Sequence, residues 1–272
     1  MKKEINFQLK IAFASPGLLR ITLLGALYGV GCFLITCFLA YNDDIIHIPA
    51  AYNQFFANGG NNFMPIIFKM ILPFIACSAF TDSYLSDCSN NYIPICITRI
   101  NAKKYYFSKM FAVFTAGAFV VFLPQILNYL LCLVAYPLNS TVENTLDLWQ
   151  AETYTNILPN LLFKRLYVLS PYLYFLLYIF ISSFAAGIIS VIAYQLSYFI
   201  KNKIFVLSFM FIVINLWSVF CEAYDMPFDI LKCIIGNDIT PRYFFFFLIM
   251  FIYIAAAILP TPFAIRKVKE TI

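Results

Sequence analysis

Hydrophobic residues in this chain neither alternate nor keep to one helical face. They run on for many residues at a time, and short polar stretches separate the runs. Six such runs lie at about 21–41, 63–80, 110–136, 172–200, 204–220 and 243–265, each near the ~20 residues a helix needs to cross the hydrocarbon core of a bilayer. The pattern predicts an all-α membrane protein with six transmembrane helices in a single transmembrane domain over residues 1–272. Residues 1–20 differ, because Ile5, Phe7, Leu9, Ile11 and Phe13 alternate with polar positions that include Lys10. A period of two does not favour a helix, whereas cations with apolar neighbours ahead of a span suit an interfacial segment on an anionic leaflet. An in-plane elbow set off by Pro16 and a disordered tail are equally open on these residues. The first run is longer than the apolar stretch of a signal peptide and lacks a small-residue cleavage site, so it is expected to be retained.

The connections carry the charge. With six spans both ends fall on one side, and the segments on that side hold Lys2, Lys3, Lys10, Arg20, Arg99, Lys103, Lys104, Lys109, Lys201, Lys203, Arg266, Lys267 and Lys269. The opposite connections hold only Lys164, Arg165, Lys232 and Arg242, so the positive-inside rule predicts cytoplasmic N and C termini. The outer connection 42–62 contains Asp43, Asp44, His47 and a Gly59-Gly60-Asn61-Asn62 turn cluster; the longest, 137–171, contains Glu143, Asp147 and Glu152. Residues 221–242 mix four acidic residues with Met226, Phe228, Ile230, Leu231, Ile234 and Ile235. That stretch is too apolar for a solvated connector and too short to span, which suits a re-entrant or interfacial segment. Cys221 and Cys233 share it, and a disulfide between them is one option.

Few polar residues lie inside the apolar runs. Lys69 is the one charge there, and it reads as a snorkelling side chain or as an attractive site for an anionic substrate group on an export path. Gln125 and Asn128 share a face of the third run beside Pro124, which is expected to kink that helix. Interhelical hydrogen bonding and cavity lining are the two roles such residues take. Asn215 in the fifth run is a similar substrate-path candidate. Gly25 and Gly29 form a GxxxG, and Ser183 with Gly187 a similar pair; such spacing permits close helix contact within one subunit or between two.

Composition removes whole classes of function. Of 272 residues 62% are hydrophobic and only 11% charged, far below the roughly one quarter charged residues of soluble domains. The net charge of +5 is spread in the pattern that orients spans, so no nucleic-acid partner is expected. The lone histidine, His47, lies in an outer connection, which argues against a metal site or an intramembrane Ser-His dyad. HExxH and GxxxxGK[ST] are both missing. With Lys69 the only ionisable side chain in the spans, ion-driven transport is disfavoured. The chain reads as no enzyme and as having no cofactor of its own; energy for transport would come from another chain.

The basic stretch Thr81–Lys109 is the longest inner connection, and it carries a resemblance. Asp87-Cys88-Ser89-Asn90-Asn91-Tyr92, then Ile97-Thr98-Arg99, then Lys103-Lys104-Tyr105-Tyr106-Phe107-Ser108-Lys109 is similar to the cytoplasmic loop of permease subunits of type-2 ATP-binding-cassette (ABC) exporters. Ala79-Phe80-Thr81-Asp82-Ser83 looks like the end of that family's second span. Asn91 stands where the family pattern usually has glycine, and Pro94 falls inside the expected helix. The resemblance implies a short coupling helix between spans two and three that docks on a separate cytoplasmic ATPase subunit, which binds ATP and Mg. It assigns Tyr92, Ile95, Thr98 and Arg99 to docking, and Lys103, Tyr105 and Lys109 to the root of span three. It also implies an N-terminal elbow, a re-entrant segment between spans five and six, and work beside a second copy or a related permease in a bacterial plasma membrane. The expected cargo is amphipathic: a hydrophobic peptide, a lipid or a drug. A non-transporting integral membrane scaffold or immunity protein that binds a peptide or lipid is the alternative.

Overall fold

The computed structural model describes residues 2–41, 48–57, 63–138, 162–235 and 243–270. Asp43, Asp44, His47, the 59–62 turn cluster, Glu143, Asp147, Glu152, Asp238 and Arg242 lie outside the described residues. The fold is all-helical, with no strand among the described residues. Six of its helical stretches are long and apolar enough to cross a membrane, as in a multi-pass membrane protein.

The first helix, α1, covers Lys2–Ala14, against the expectation from its alternating sequence. Tertiary packing overrides the alternation: Gln8 and Ala12, four apart, are buried, and Phe13 meets Phe119 edge-on at 5.2 Å. Phe7 and Ile11 remain exposed on another face. Ser15 then starts a new helix. Its hydroxyl donates to Ala12 O at 2.7 Å and accepts from Leu18 N at 3.4 Å, while Pro16 occupies the first helical position and holds Ser15 extended. Helix α2 therefore runs Pro16–Leu39 and begins earlier than its apolar run.

A 3-10 turn at Ala51–Gln54 precedes α3 (Phe63–Ser78), and two short helices follow, α4 (Ser83–Ser89) and α5 (Tyr92–Arg99). Helix α6 covers Ala102–Ala135, starting eight residues before the expected 110 because Asn101 caps it by accepting from Lys103 N at 3.1 Å. Its 34 residues make a rod of about 50 Å, well beyond the ~30 Å hydrocarbon core. After α7 (Lys164–Leu169), the Ser-Pro device recurs: Ser170 caps α8 (Pro171–Leu196). Asn202 caps α9 (Lys203–Ala223), and a 3-10 turn at Lys232–Ile234 leads on to α10 (Tyr243–Ile258) and α11 (Thr261–Glu270).

Helices α6 and α8 form the centre, and α2 and α3 pack against α6. Close approach depends on missing side chains. The stripe Leu18, Thr22, Gly25, Gly29, Cys32, Thr36 of α2 lies on α6 around Pro124, through which α6 continues as helix. A Cβ on Gly29 would stand 2.6 Å from Pro124 O, and one on Gly25 would stand 2.9 Å from Pro124 Cγ. Gly117 faces Ser190 and Gly187 faces Phe114 in the same way between α6 and α8. The small-residue pairs are thus used within one subunit.

Gly29 and Gly31 make a matched test on one helix. Gly29→Ala forces a Cβ against backbone and should cost about 1–3 kcal/mol, as overpacking does. Gly31 has nothing within 4 Å, so Gly31→Ala should be neutral or gain up to about 1 kcal/mol from helix propensity. Unfolding in mixed detergent micelles would measure both, and equal effects would contradict the packing described.

Candidate functional site

Between α3 and α6 the chain folds into a compact polar-aromatic unit rather than an open loop. Phe80 takes a positive φ of 71°, which turns the backbone out of α3. Asn91 does the same at φ 52° between α4 and α5. This is left-handed space, where glycine is the ordinary occupant and asparagine the best-tolerated replacement. Asn91 therefore holds the turn that a glycine would otherwise make. Pro94 is the third residue of α5, where the backbone N–H has no helical partner, so it does not interrupt the helix.

Lys109 lies at the heart of the unit. Its side chain is almost fully buried on α6, and its three ammonium donors meet three acceptors: the Asp87 carboxylate, Ser83 O at 2.9 Å and Tyr105 Oη at 3.3 Å. The Tyr105 hydroxyl in turn donates to the same Asp87 oxygen. All three ammonium donors and the Tyr105 hydroxyl are paired, which is what lets a buried ion pair offset its desolvation, while the Ser83 hydroxyl beside them has no partner. Around it lie Tyr84, stacked on Tyr198 at 3.8 Å, then Tyr106 and Tyr194, with Ile93 of α5 and Ala264 and Val268 of α11 completing the cluster. At the edge, Lys203 pairs with Asp82, an exposed contact worth little.

The expected docking residues divide by face. Ile93 is buried in the chain's own core. Tyr92 is half-buried, and its phenol is pushed up to about 12, first by a hydrogen bond with the Cys96 thiol and then by burial, so it stays neutral. Ile95 is 58% exposed, and Thr98 and Arg99 are exposed beside it. Helix α5 thus clamps one face to α6 and turns Ile95, Thr98 and Arg99 outward.

The mid-bundle candidates are engaged elsewhere. Gln125 donates to Ser182 Oγ at 2.8 Å across to α8. Asn128 donates to Gly29 O at 2.9 Å on α2 and accepts from Phe56 N at 3.2 Å. Both tie neighbouring segments together and are buried. Asn215 of α9 donates to Phe211 O at 2.9 Å and to Met70 O of α3 at 3.3 Å.

Lys69 has a partner within the chain. It pairs with Asp229 at 3.6 Å, and Asp229 is 1% exposed. The carboxylate also accepts from Ser218 Oγ at 2.6 Å and from Leu231 N at 2.8 Å. Asp229 went unrecognised in the sequence, although an acid amid Phe228, Ile230 and Leu231 opposite a lone intrahelical lysine was a readable signal. The segment around it packs inward, with Ile230, Leu231, Cys233 and Ile234 all buried. No disulfide joins Cys221 and Cys233, which are both buried thiols. Among the described residues no group of three or more His, Cys, Asp or Glu side chains is arranged to hold a metal ion.

Comparison with known proteins adds no further guide: no family model, no curated protein and no solved structure matches this chain.

Proposed function

We propose that this chain is the membrane-spanning permease subunit of an ATP-driven exporter of the type-2 ABC kind. On this reading a separate ATPase subunit grips α5 from the cytoplasm, and ATP and Mg are bound there. The observation that carries the reading is the division of α5 into an inner face locked to α6 and an outer face presenting Ile95, Thr98 and Arg99. A lever must be rigid where it joins the membrane and free where it is pushed. The saturated Lys109 network supplies the rigid joint, and α6 is a single helix long enough to carry a tilt into the bilayer. The excess of basic residues beside this unit supports cytoplasmic termini in a plasma membrane. The apolar side chains that α1 leaves exposed suit an in-plane elbow. A second copy would complete a path for an amphipathic cargo. The buried stretch 229–235, of which only Lys232 is half-buried, suits a re-entrant connection.

Purification of the full chain from its native membrane, with whatever P-loop ATPase accompanies it, tests the proposal. The pair should co-purify, and ATP turnover in nanodiscs should depend on this chain. Arg99→Glu should weaken the pair at least about tenfold, the effect of losing one charge-assisted hydrogen bond of about 1.5–3 kcal/mol. Undiminished assembly by Arg99→Glu and by Ile95→Asp would remove the docking role and favour a non-transporting membrane protein.

A further inference from the structure

Helices α9 and α10 both pack on α8 but make little contact with each other. The gap is a long apolar cleft of about 1140 Å³, open toward the side of the bundle. This exceeds the ~300–1,000 Å³ of ordinary small-ligand pockets. One face of α9 lines it from Phe209 to Ala223, opposite Ile249 and Tyr253 of α10. Those fourteen steps along α9 correspond to about 21 Å of length, so the shape suits an extended chain better than a compact molecule.

Its end nearest the Thr81–Lys109 unit is chemically distinct. Gln195 and Phe199 line the cleft there. Gln195 is 2% exposed; its amide N–H donates to Ala257 O, and its Oε1 has no hydrogen-bond partner. Lys267 of α11 holds its ammonium 5.3 Å from the Phe199 ring centroid, which sets a positive charge at this mouth of the cleft. Lys201 is exposed two residues beyond Phe199. An apolar slot with a basic mouth calls for an anionic head and a long apolar tail.

We propose that the cleft between α9 and α10 is a binding site for an anionic phospholipid of the phosphatidylglycerol type. Its acyl chain lies along α9 and its phosphate faces Lys267. The lipid enters laterally between the two helices. This assignment is independent of the ATPase reading and holds whether or not the chain transports anything.

Quenching by acyl-brominated lipids tests it on the full chain in nanodiscs. Phe209→Trp, with Trp149 and Trp217 replaced by Phe, places the reporter in the cleft; Leu24→Trp in the same background reports bulk lipid on exposed α2. At Phe209→Trp, brominated phosphatidylglycerol should bind about fivefold more tightly than brominated phosphatidylcholine, the effect expected of one lysine near an anionic headgroup. The Leu24→Trp reporter should show less than twofold preference. Lys267→Gln should abolish the preference in the cleft, and Lys267→Arg should keep it. Equal binding of the two lipids, or a preference untouched by Lys267→Gln, would overturn the proposal. A reporter shielded from both lipids would also overturn it, because a second copy or another protein would then fill the cleft.

Discussion

Asp87→Leu is expected to destabilise the protein by about 3–5 kcal/mol, the cost of leaving one member of a buried pair uncompensated. Lys109→Met should cost less, about 1–3 kcal/mol. The asymmetry follows from burial: the Lys109 side chain is 2% exposed, while that of Asp87 is 20% exposed and still reaches water. Losing the carboxylate strands an ammonium that retains only Ser83 O and the Tyr105 hydroxyl. Losing the ammonium leaves a carboxylate that keeps the Tyr105 hydroxyl and gains solvent. In the double variant Asp87→Leu/Lys109→Met neither charge remains, and it should be more stable than Asp87→Leu alone. The coupling should reach about 1–3 kcal/mol. Unfolding in mixed micelles measures the cycle, and additive effects would show that the pair does not hold the connector. Amide exchange gives a second readout. Residues 83–99 should exchange faster in Asp87→Leu, while the middle of α6 stays protected.

That local readout bears on the proposed lever. If α5 loosens while α6 keeps its helix, a push on Arg99 is absorbed at the joint instead of tilting α6. Coupling and stability would then fail together in Asp87→Leu. Arg99→Glu should separate them, since Arg99 is exposed and takes no part in the Lys109 network. The pair of variants distinguishes a broken lever from an ungripped one.

The six spans were legible because a bilayer core accepts only continuous apolar helix, and such runs are visible without any knowledge of neighbours. Their starts were less legible: Ser15-Pro16 and Asn101 are capping signals, yet apolar runs alone placed the boundaries inside them. The period-two alternation of residues 2–14 conceals their helix. Contact with α6 selects helix there, and that contact is invisible in the local pattern. A helix does cover Tyr92–Arg99, but nothing in the local sequence announces its inner clamp. Asp87 and Lys109 are 22 residues apart, and Lys69 and Asp229 are farther apart still. Pairings at such separations depend on how helices cross, which one sequence does not specify. The cleft was unreadable for the same reason, since the same Phe and Leu residues serve a lipid-facing surface and a lateral groove.

The Lys69–Asp229 pair gives the second large effect. Lys69→Met should destabilise by about 3–5 kcal/mol, because it leaves a carboxylate that is 1% exposed with only Ser218 and Leu231 N as partners. The rescue is specific. Asp229→Asn in the same chain removes the stranded charge but keeps an oxygen to accept from Leu231 N, so the double variant should recover most of the loss. Asp229→Leu in place of Asn should recover less, since the buried Leu231 N–H then has no acceptor. The order Lys69→Met below Lys69→Met/Asp229→Leu below Lys69→Met/Asp229→Asn separates the ion pair from the backbone bond. If Lys69→Met instead unfolds like the parent, Lys69 reaches the interface as a snorkelling side chain would. The segment carrying Asp229 would then be held by its apolar residues alone.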